Sequence, residues 1–347
     1  MIGLRKAFDE VLRGRSLDAA EAEGVVSEML ADIVPDVLVA GFLIALKCKG
    51  EAAAELAGGA RAMRKRARPL KLNDGNLLDT AGTGGDGAGT FNISTGAAIV
   101  AAAAGVPVAK HGNRAISGRV GAADVLEQLG VKLEQDPAGL QRCLDDANCC
   151  FIFAPAYHPV LARLAVLRRT LGVRTLFNLI APLANPARPK RQLLGVADPK
   201  LLRPMAEALA TLGVEHAIVV HGNDGLDEIS LAAPTRIVEV HAGETCEYEI
   251  RPEQFGINAA APTTFLTGDV KEAAEMLQEA LAGNAGPAQD VIALNGGAAI
   301  YVGGGAPSMA EGVARARRIL QSGRALETIE KMRLASNHAA EAPQRYR

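Results

Sequence analysis

The chain has 347 residues and a formal net charge of −2, and 49% of its residues are hydrophobic and 22% charged. This length suits two domains with a large buried core, and this composition excludes a disordered or fibrous chain. The small net charge and the low aromatic content of 3% predict no general binding to nucleic acid or membranes. A local cluster of donors must therefore hold any anionic ligand.

Cysteine usage and hydropathy indicate the compartment. Five cysteines without a C-x-x-C pair predict neither a disulfide framework nor a zinc site. The most hydrophobic stretch, 97–109, is interrupted by Gly105 and Pro107 and is shorter than the roughly 20 residues that span a bilayer. Since the N-terminus also lacks the apolar core of a signal peptide, we expect a cytoplasmic protein.

Hydrophobic spacing divides the chain into an all-helical first part and a mixed second part. The first part is predicted to hold four helices, at 4–12, 16–30, 36–47 and 51–66. Short apolar runs that alternate with helices then predict strands of a mainly parallel sheet at 77–80, 106–110, 149–153, 193–196 and 217–221. The predicted fold class is α/β, with a small all-helical domain at 1–70 and a large domain at 71–347 whose central sheet is flanked by helices.

A glycine-rich loop follows the first predicted strand. It reads Ala81-Gly82-Thr83-Gly84-Gly85-Asp86-Gly87, and the backbone N–H groups of such a loop, with a helix starting near Asn92 or Ser94, favour phosphate or pyrophosphate. The spacing also fits the G-x-G-x-x-G dinucleotide motif, but no Asp or Glu occurs from Gly87 to Ala123 to bind a ribose hydroxyl. The Lys-Ser/Thr pair of a Walker loop is absent too. A simple tight turn is the alternative interpretation.

Two further loops follow predicted strands. The first is basic, Lys110-His111-Gly112-Asn113-Arg114, and the second, 222–228, ends in Asp227-Glu228. Because ligands of open parallel sheets bind beyond the carboxyl ends of the strands, both loops should face the same crevice as the glycine loop. Carboxylates opposite a phosphate site suit Mg²⁺, which shares one or two of them with a substrate's phosphates. Taken singly, an acidic turn or a lone histidine is more often solvated or structural.

A later segment carries four arginines, namely Arg163, Arg168, Arg169 and Arg174. A guanidinium can bind a carboxylate through two parallel hydrogen bonds. For any one of the four, an exposed position on a helix is the alternative interpretation.

Together, the glycine loop, the segment 91–95, the basic loop and the segment 225–231 resemble the anthranilate phosphoribosyltransferase family over about residues 1 to 335. The resemblance implies transfer of a 5-phosphoribosyl group from phosphoribosyl pyrophosphate to anthranilate, with Mg²⁺, in tryptophan biosynthesis. It also implies that a returning segment near 160–185 completes the helical domain, and that two copies associate as a homodimer through the helical part.

The resemblance also implies roles for individual residues. The implied phosphoribosyl pyrophosphate contacts are Gly82, Gly85, Asp86, Thr90, Asn92, Ile93, Ser94, Thr95, Lys110, His111, Gly112, Asn113, Arg114, Ser117, Gly118 and Ala122. The implied anthranilate contacts are Gly82, Asn113 and Arg168, and the implied magnesium ligands are Ser94, Asp227 and Glu228. An aromatic amine is a nucleophile without prior deprotonation, so no general base is assigned.

Three places differ from the usual family pattern. Ser117-Gly118 replaces two serines, Val120-Gly121 replaces Ser-Gly, and the segment 181–186 has alanine at 181 and 184 in place of glycine and threonine. These changes remove a hydroxyl near the implied phosphoribosyl pyrophosphate site. Near the implied anthranilate site they add a methyl group and remove a hydroxyl. The alternatives are a paralogue with another aromatic-amine acceptor, a nucleoside phosphorylase and a non-catalytic relative that binds nucleic acid.

Overall fold

The computed structural model describes residues 2–31, 34–115 and 120–338. Four helices come first: Leu4–Leu12 (α1), Ala19–Met29 (α2), Asp36–Lys49 (α3) and Ala53–Arg66 (α4). Helix α2 starts three residues later than the sequence predicts, because the Asp18 carboxylate accepts the N–H groups of Ala20 and Glu21 and so caps the helix.

Close packing of α2 against α4 depends on one glycine and one buried carboxylate. A Cβ on Gly58 of α4 would lie 2.3 Å from the carbonyl oxygen of Ala19, so only glycine fits there. Glu55 is 1% exposed and accepts the N–H groups of Ala52 at 2.7 Å and Leu17 at 2.9 Å. It therefore caps α4 and also fixes the chain that enters α2.

A seven-stranded sheet follows, in the order β3-β2-β1-β4-β5-β6-β7. Its strands are Leu78–Asp79 (β1), Val108–Gly112 (β2), Cys149–Phe153 (β3), Arg191–Gly195 (β4), His216–Gly222 (β5), Thr235–His241 (β6) and Glu244–Ile250 (β7). Strands β1 to β5 are parallel, whereas β6 and β7 are antiparallel to their neighbours. This arrangement confirms the predicted α/β class with a mainly parallel sheet.

Helices flank the sheet. They are Ile93–Ala103 (α5), Ala122–Gln128 (α6), Pro137–Ala147 (α7), Ala154–Tyr157 (α8), Ala165–Leu171 (α9), Leu176–Ile180 (α10), Leu202–Thr211 (α11), Val270–Leu281 (α12), Pro287–Val302 (α13), Met309–Gln321 (α14) and Arg324–Asn337 (α15). Helix α5 is buried almost throughout and packs on α13 through Gly96 and Gly296, where added Cβ atoms would contact Ile292 and Val100 at 2.7 and 2.8 Å. This packing fixes the amino end of α5 beside the sheet.

The segment from 164 to 184 packs with the first four helices in one hydrophobic core. Ile180 of α10 lies against Gly59 of α4, where an added Cβ would be 3.1 Å from the isoleucine Cδ1. Arg163 donates to the carbonyl oxygens of Met29 and Val34, both at 2.7 Å. Within the part of the chain that the structure describes, no helix is long and apolar enough to cross a membrane.

A candidate active site at the carboxyl edge of the sheet

The loops that follow β1, β4 and β5 meet through their backbones. Thr83 N–H donates to the Gly195 carbonyl oxygen at 2.8 Å. A Cβ on Gly82 would lie 3.2 Å from that oxygen and 3.3 Å from Asp227 Oδ2, and a Cβ on Gly195 would lie 1.6 Å from the Asp227 carbonyl oxygen. The glycines therefore allow the glycine loop and the acidic loop to approach each other.

Lys110 comes from β2 and lies beneath the glycine loop. It is 3% exposed, and its Nζ donates to Thr80 O at 3.0 Å and to Ser94 Oγ at 3.1 Å. Burial lowers the pKa of Lys110, and the carboxylates of Asp79 and Glu228 oppose that shift. The structure thus brings Lys110, Ser94 and Glu228 into one cluster.

Three carboxylates lie close together beside this cluster. Burial raises the pKa of Asp227 to about 7, and the charge and hydrogen bond of Asp86 add to the shift. Burial and the Asp227 charge raise the pKa of Glu228, and the positive charge of Lys110 partly offsets this increase. Crowded carboxylates of this kind are stabilised by a bound cation, so the donor set fits Mg²⁺. In the described ranges no group of three or more His, Cys, Asp or Glu side chains is placed to hold a metal by itself.

The segment 90–95 is held by the cap of α5 and by contacts with distant parts of the chain. Asn92 Oδ1 accepts the Thr95 N–H at 3.0 Å and bonds to the Thr95 hydroxyl, which caps α5. The Ile93 side chain is 1% exposed and belongs to the core. Thr90 forms a bridge with Leu266. The amino end of α5 is thus preorganised. Because the Ile93 side chain is buried, only its backbone could contact a ligand.

The basic loop is anchored from below by a buried carboxylate. Asp79 Oδ1 accepts the His111 N–H at 3.1 Å, and its Oδ2 accepts Asn185 Nδ2–H at 2.9 Å. Gly112 packs under the Phe151 ring, where a Cβ would lie 2.6 Å from the ring. Sequence reasoning missed Asp79 and Asn185, because only the assembled sheet shows that they support this loop.

Beyond His111 the loop turns toward α6. Asn113 O accepts the Ala123 N–H at 3.2 Å, which places Asn113 beside the start of α6 and its first residue, Ala122. Ser117 and Gly118, both implied donor contacts, lie outside the described residues.

Arg114 lies apart from the carboxylate cluster. Its guanidinium forms two hydrogen bonds with Glu127, at 2.7 and 2.9 Å, and one with Asp124 at 2.9 Å. It also lines a surface cavity of about 390 Å³ that includes Phe153 and Lys132 but none of the glycine-loop residues. The structure therefore brings Lys110 into the site and pairs Arg114 outside it.

The implied acceptor residue Arg168 lies on α9 and is partly buried. Burial lowers the pKa of Arg168, and no hydrogen bond or ion pair to its side chain occurs among the residues that the structure describes. Buried polar groups normally have partners. An unpaired, partly buried guanidinium therefore suits a ligand carboxylate.

Two histidines at the basic loop, His111 and His158, have buried ring nitrogens with unused hydrogen-bonding capacity. The His111 and His158 rings are 5.3 Å apart, and in the described structure His111 Nε2 and both ring nitrogens of His158 are buried without a hydrogen bond of good geometry. The backbone of Ala181 lies near the first ring and that of Ala184 near the second, and both weakly favour the protonated form. Burial lowers the pKa of His111 to about 3 and that of His158 to about 4, so both rings are neutral. His158 was missing from the predicted site, and it follows the short helix α8 rather than the end of a strand.

Arg174 is a further residue that the predicted site did not include. Its Nη2 donates to Thr83 O at 2.7 Å, and its guanidinium covers Gly85 so closely that a Cβ there would lie 1.5 Å from Nη1. Gly85 also has a positive φ of 81°, which favours glycine. The structure thus places a cation on the glycine loop from the segment of four arginines, where the sequence predicted either a carboxylate-binding arginine or an exposed position on a helix.

Comparisons with known proteins agree with this architecture. Residues 5–67 match the family model described as "Glycosyl transferase family, helical bundle domain", and residues 74–326 match "Glycosyl transferase family, a/b domain". The fold and the site thus define a glycosyl transferase built from a helical bundle and an α/β part.

Close relatives identify the family within this class. Anthranilate phosphoribosyltransferase from Clostridium kluyveri is 46% identical over 95% of this chain and 98% of its own, and that from Rubrobacter xylanophilus is 46% identical over 97% and 98%. The crystal structure of the enzyme from Thermus thermophilus is similar with a TM-score of 0.90 and 44% identity, over 96% of this chain and 99% of that one. The Saccharomyces cerevisiae enzyme in complex with PRPP and Mg has a TM-score of 0.86 and 26% identity, over 96% and 97%. This chain belongs to the anthranilate phosphoribosyltransferase family.

Proposed function

We propose that this protein transfers the 5-phosphoribosyl group of phosphoribosyl pyrophosphate to the amine of anthranilate and releases pyrophosphate. The observation that carries the proposal is the meeting, at one edge of the sheet, of a glycine loop, a buried lysine and a carboxylate pair. Relatives at 46% identity carry the same activity in their names. This step would belong to tryptophan biosynthesis.

The donor would bind between the glycine loop and the acidic loop. Lys110 supplies a positive charge that is held by Ser94 and Thr80, and the amino end of α5 supplies backbone N–H groups for a phosphate. Asp227 and Glu228, with Ser94, would hold Mg²⁺. When bound, Mg²⁺ would neutralise the pyrophosphate and so ease its departure as an anion.

The acceptor would bind on the side of Arg168. The unpaired guanidinium matches the carboxylate of anthranilate, and Asn113 lies in the loop that also carries Lys110. The neutral His111 and His158 rings add unpaired nitrogens at the end of this loop.

Bond exchange then needs little acid–base chemistry. As the bond between C1′ and the pyrophosphate oxygen lengthens, positive charge develops on the ribose while the leaving anion is already held. The aromatic amine attacks C1′ with its own lone pair while the bond from C1′ to the pyrophosphate oxygen breaks. The nitrogen then loses one proton, which the departing pyrophosphate accepts, so the residues mainly position and neutralise the reactants. We assign no general base.

The domains, the compartment and the oligomeric state follow the same family pattern in our proposal. We propose a helical domain of 1–70 completed by about 160–185, an α/β domain from residue 71, and a cytoplasmic homodimer. Support for a dimer comes from large aliphatic side chains on the helical part, since Leu12 is 64% exposed, Val37 80% and Val166 64%. A second copy would cover this surface.

The experiment follows the loss of anthranilate fluorescence with purified protein and phosphoribosyl pyrophosphate, with Mg²⁺ or with EDTA. Consumption that needs Mg²⁺ supports the proposal. Phosphorolysis of a nucleoside by inorganic phosphate without a metal would instead favour a phosphorylase. Donor binding without consumption of anthranilate, but with consumption of another aromatic amine, would reveal a different acceptor.

A further inference from the structure

Arg174 connects two parts of the protein that the proposed reaction uses separately. It lies in the short connection between α9, which ends at Leu171, and α10, which starts at Leu176. Its side chain reaches the glycine loop, where it donates to Thr83 O at 2.7 Å. The acceptor arginine, Arg168, lies on α9 six positions earlier. One short segment thus carries a contact to the donor loop and the unpaired guanidinium of the acceptor side.

This connection is held at both ends. Gly172 ends α9 in the left-handed conformation, with φ of 63° and its N–H bonded to Arg168 O. Thr175 starts α10, and its N–H donates to Asn178 Oδ1 at 3.1 Å. Movement of the Arg174 backbone would therefore be transmitted to both helices.

The Arg174 guanidinium lies on Gly85, directly before Asp86, and the same loop approaches the proposed cation ligand Asp227, since a Cβ on Gly82 would lie 3.3 Å from Asp227 Oδ2. Burial lowers its pKa, and the charges of Asp227 and Asp86 oppose that shift. Yet the described residues give it no ion pair within contact distance, and its bond to Thr83 uses one of the five N–H donors that a guanidinium offers. A positive charge is thus held beside the carboxylates without being paired to them.

We propose that Arg174 is a positioning residue that supplies positive charge beside Asp86 and Asp227 before the donor binds, and that the arriving cation and donor displace it. The inference rests on the proposed function, because it takes Asp227, with Glu228 and Ser94, as the cation site and Asp86 as a contact of the donor. A guanidinium and a divalent cation near the same carboxylates repel each other. Binding of the cation then shifts the segment that carries Arg168, which couples the donor side to the acceptor side.

The first test uses Mn²⁺ alone, titrated by calorimetry into the wild-type protein, Arg174→Gln and Arg169→Gln. Arg169 is the matched control, since it is an exposed arginine on the neighbouring helix α9. Removal of the charge next to the carboxylates should tighten Mn²⁺ binding by about threefold or more, whereas Arg169→Gln should leave it unchanged. A purely structural role for Arg174 predicts weaker binding, so equal or weaker Mn²⁺ affinity in Arg174→Gln would overturn the inference.

The second test measures coupling between the two sides. Anthranilate affinity is determined by its fluorescence with and without Mg²⁺ and pyrophosphate, a pair that cannot react. In the wild type, the anthranilate affinity with Mg²⁺ and pyrophosphate should differ from the affinity without them. In Arg174→Gln the ratio of these two affinities should move toward one, and in Arg174→Lys it should lie between the ratios of Arg174→Gln and the wild type. A ratio that is unchanged in Arg174→Gln would contradict the coupling.

Failure of this inference is distinguishable from failure of the proposed function. Wild-type protein that consumes anthranilate with Mg²⁺, together with an unchanged Mn²⁺ affinity in Arg174→Gln, would overturn the role of Arg174 alone. A wild-type protein that does not consume anthranilate, with tighter Mn²⁺ binding in the variant, would support the role of Arg174 and contradict the acceptor. Melting temperatures of all variants show whether each is folded.

Discussion

Replacement of Gly195 by alanine should damage the proposed cation site without changing any side chain that is proposed to bind the cation. The new Cβ would lie 1.6 Å from the Asp227 carbonyl oxygen, less than half an ordinary contact distance, and the atom it meets is backbone. Strand β4 and the acidic loop must therefore separate. Overpacking of this kind costs about 1–3 kcal/mol of folding stability, and a shift of about 1 Å in a catalytic group can lower the rate about 100-fold.

The assay compares Gly195→Ala with Gly75→Ala, since a Cβ on Gly75 would meet nothing within 4 Å. Thermal unfolding gives the stability, and anthranilate consumption at increasing Mg²⁺ gives the metal dependence. We expect Gly195→Ala to melt a few degrees lower and to need at least about tenfold more Mg²⁺, with Gly75→Ala close to wild type. If Gly195→Ala depended on Mg²⁺ in the same way as the wild type, the close approach of Gly195 to Asp227 would not be what positions Asp227.

Four further predictions concern separate parts of the molecule. Lys110→Met should lower the free energy of unfolding by about 1–3 kcal/mol, because it leaves the buried Thr80 O and Ser94 Oγ without their donor, and denaturant titration would show a smaller loss if Lys110 were dispensable. Arg168→Gln should raise the anthranilate KM about tenfold or more with little change in the donor KM, and the reverse pattern would contradict its assignment. Val37→Glu should produce monomers in sedimentation experiments if a second copy covers that face, whereas an unchanged dimer would exclude it. Glu239→Gln should destabilise the protein by about 1–3 kcal/mol at neutral pH, and its melting temperature should approach that of wild type as the pH is lowered into the acidic range.

The pH dependence of the last variant follows from the Glu239 environment. Burial by itself would raise the pKa of Glu239, but hydrogen bonds from His216, Tyr248 and Tyr301 outweigh burial and hold that pKa below its ordinary value. A carboxylate with a lowered pKa in the folded state contributes stability above its unfolded pKa, and this contribution is lost as the pH falls through the folded pKa. A difference in melting temperature that stays constant from neutral to strongly acidic pH would therefore contradict this account.

Local sequence patterns predicted much of the fold, because they report local structure. The predicted bounds 4–12 and 149–153 match α1 and β3. Strands β6 and β7 were not predicted. They form an antiparallel hairpin, and β7 is exposed along most of its length, so it lacks the apolar run that marked the parallel strands.

Candidate site residues could be predicted where residues with a suitable side chain or backbone lie close to the carboxyl end of a predicted strand. The glycine loop follows β1, Asp227 follows β5 and Lys110 lies in β2, two residues before its end, so the parallel sheet brings them together. Arg174 was not predictable, because it is 91 positions away from its partner Thr83. Such contacts depend on how α9 and α10 return to the helical part, which no local pattern records.

The most direct test of the central claim measures both products of the proposed reaction. Wild-type protein and the double variant Asp227→Asn with Glu228→Gln are each incubated with anthranilate, phosphoribosyl pyrophosphate and Mg²⁺, and mass spectrometry and a pyrophosphate assay follow the products. We expect the wild type to form N-(5-phosphoribosyl)anthranilate and pyrophosphate in equal amounts, and the folded double variant to form neither at a comparable rate. Equal turnover by the double variant, or pyrophosphate release without the anthranilate product, would contradict the account.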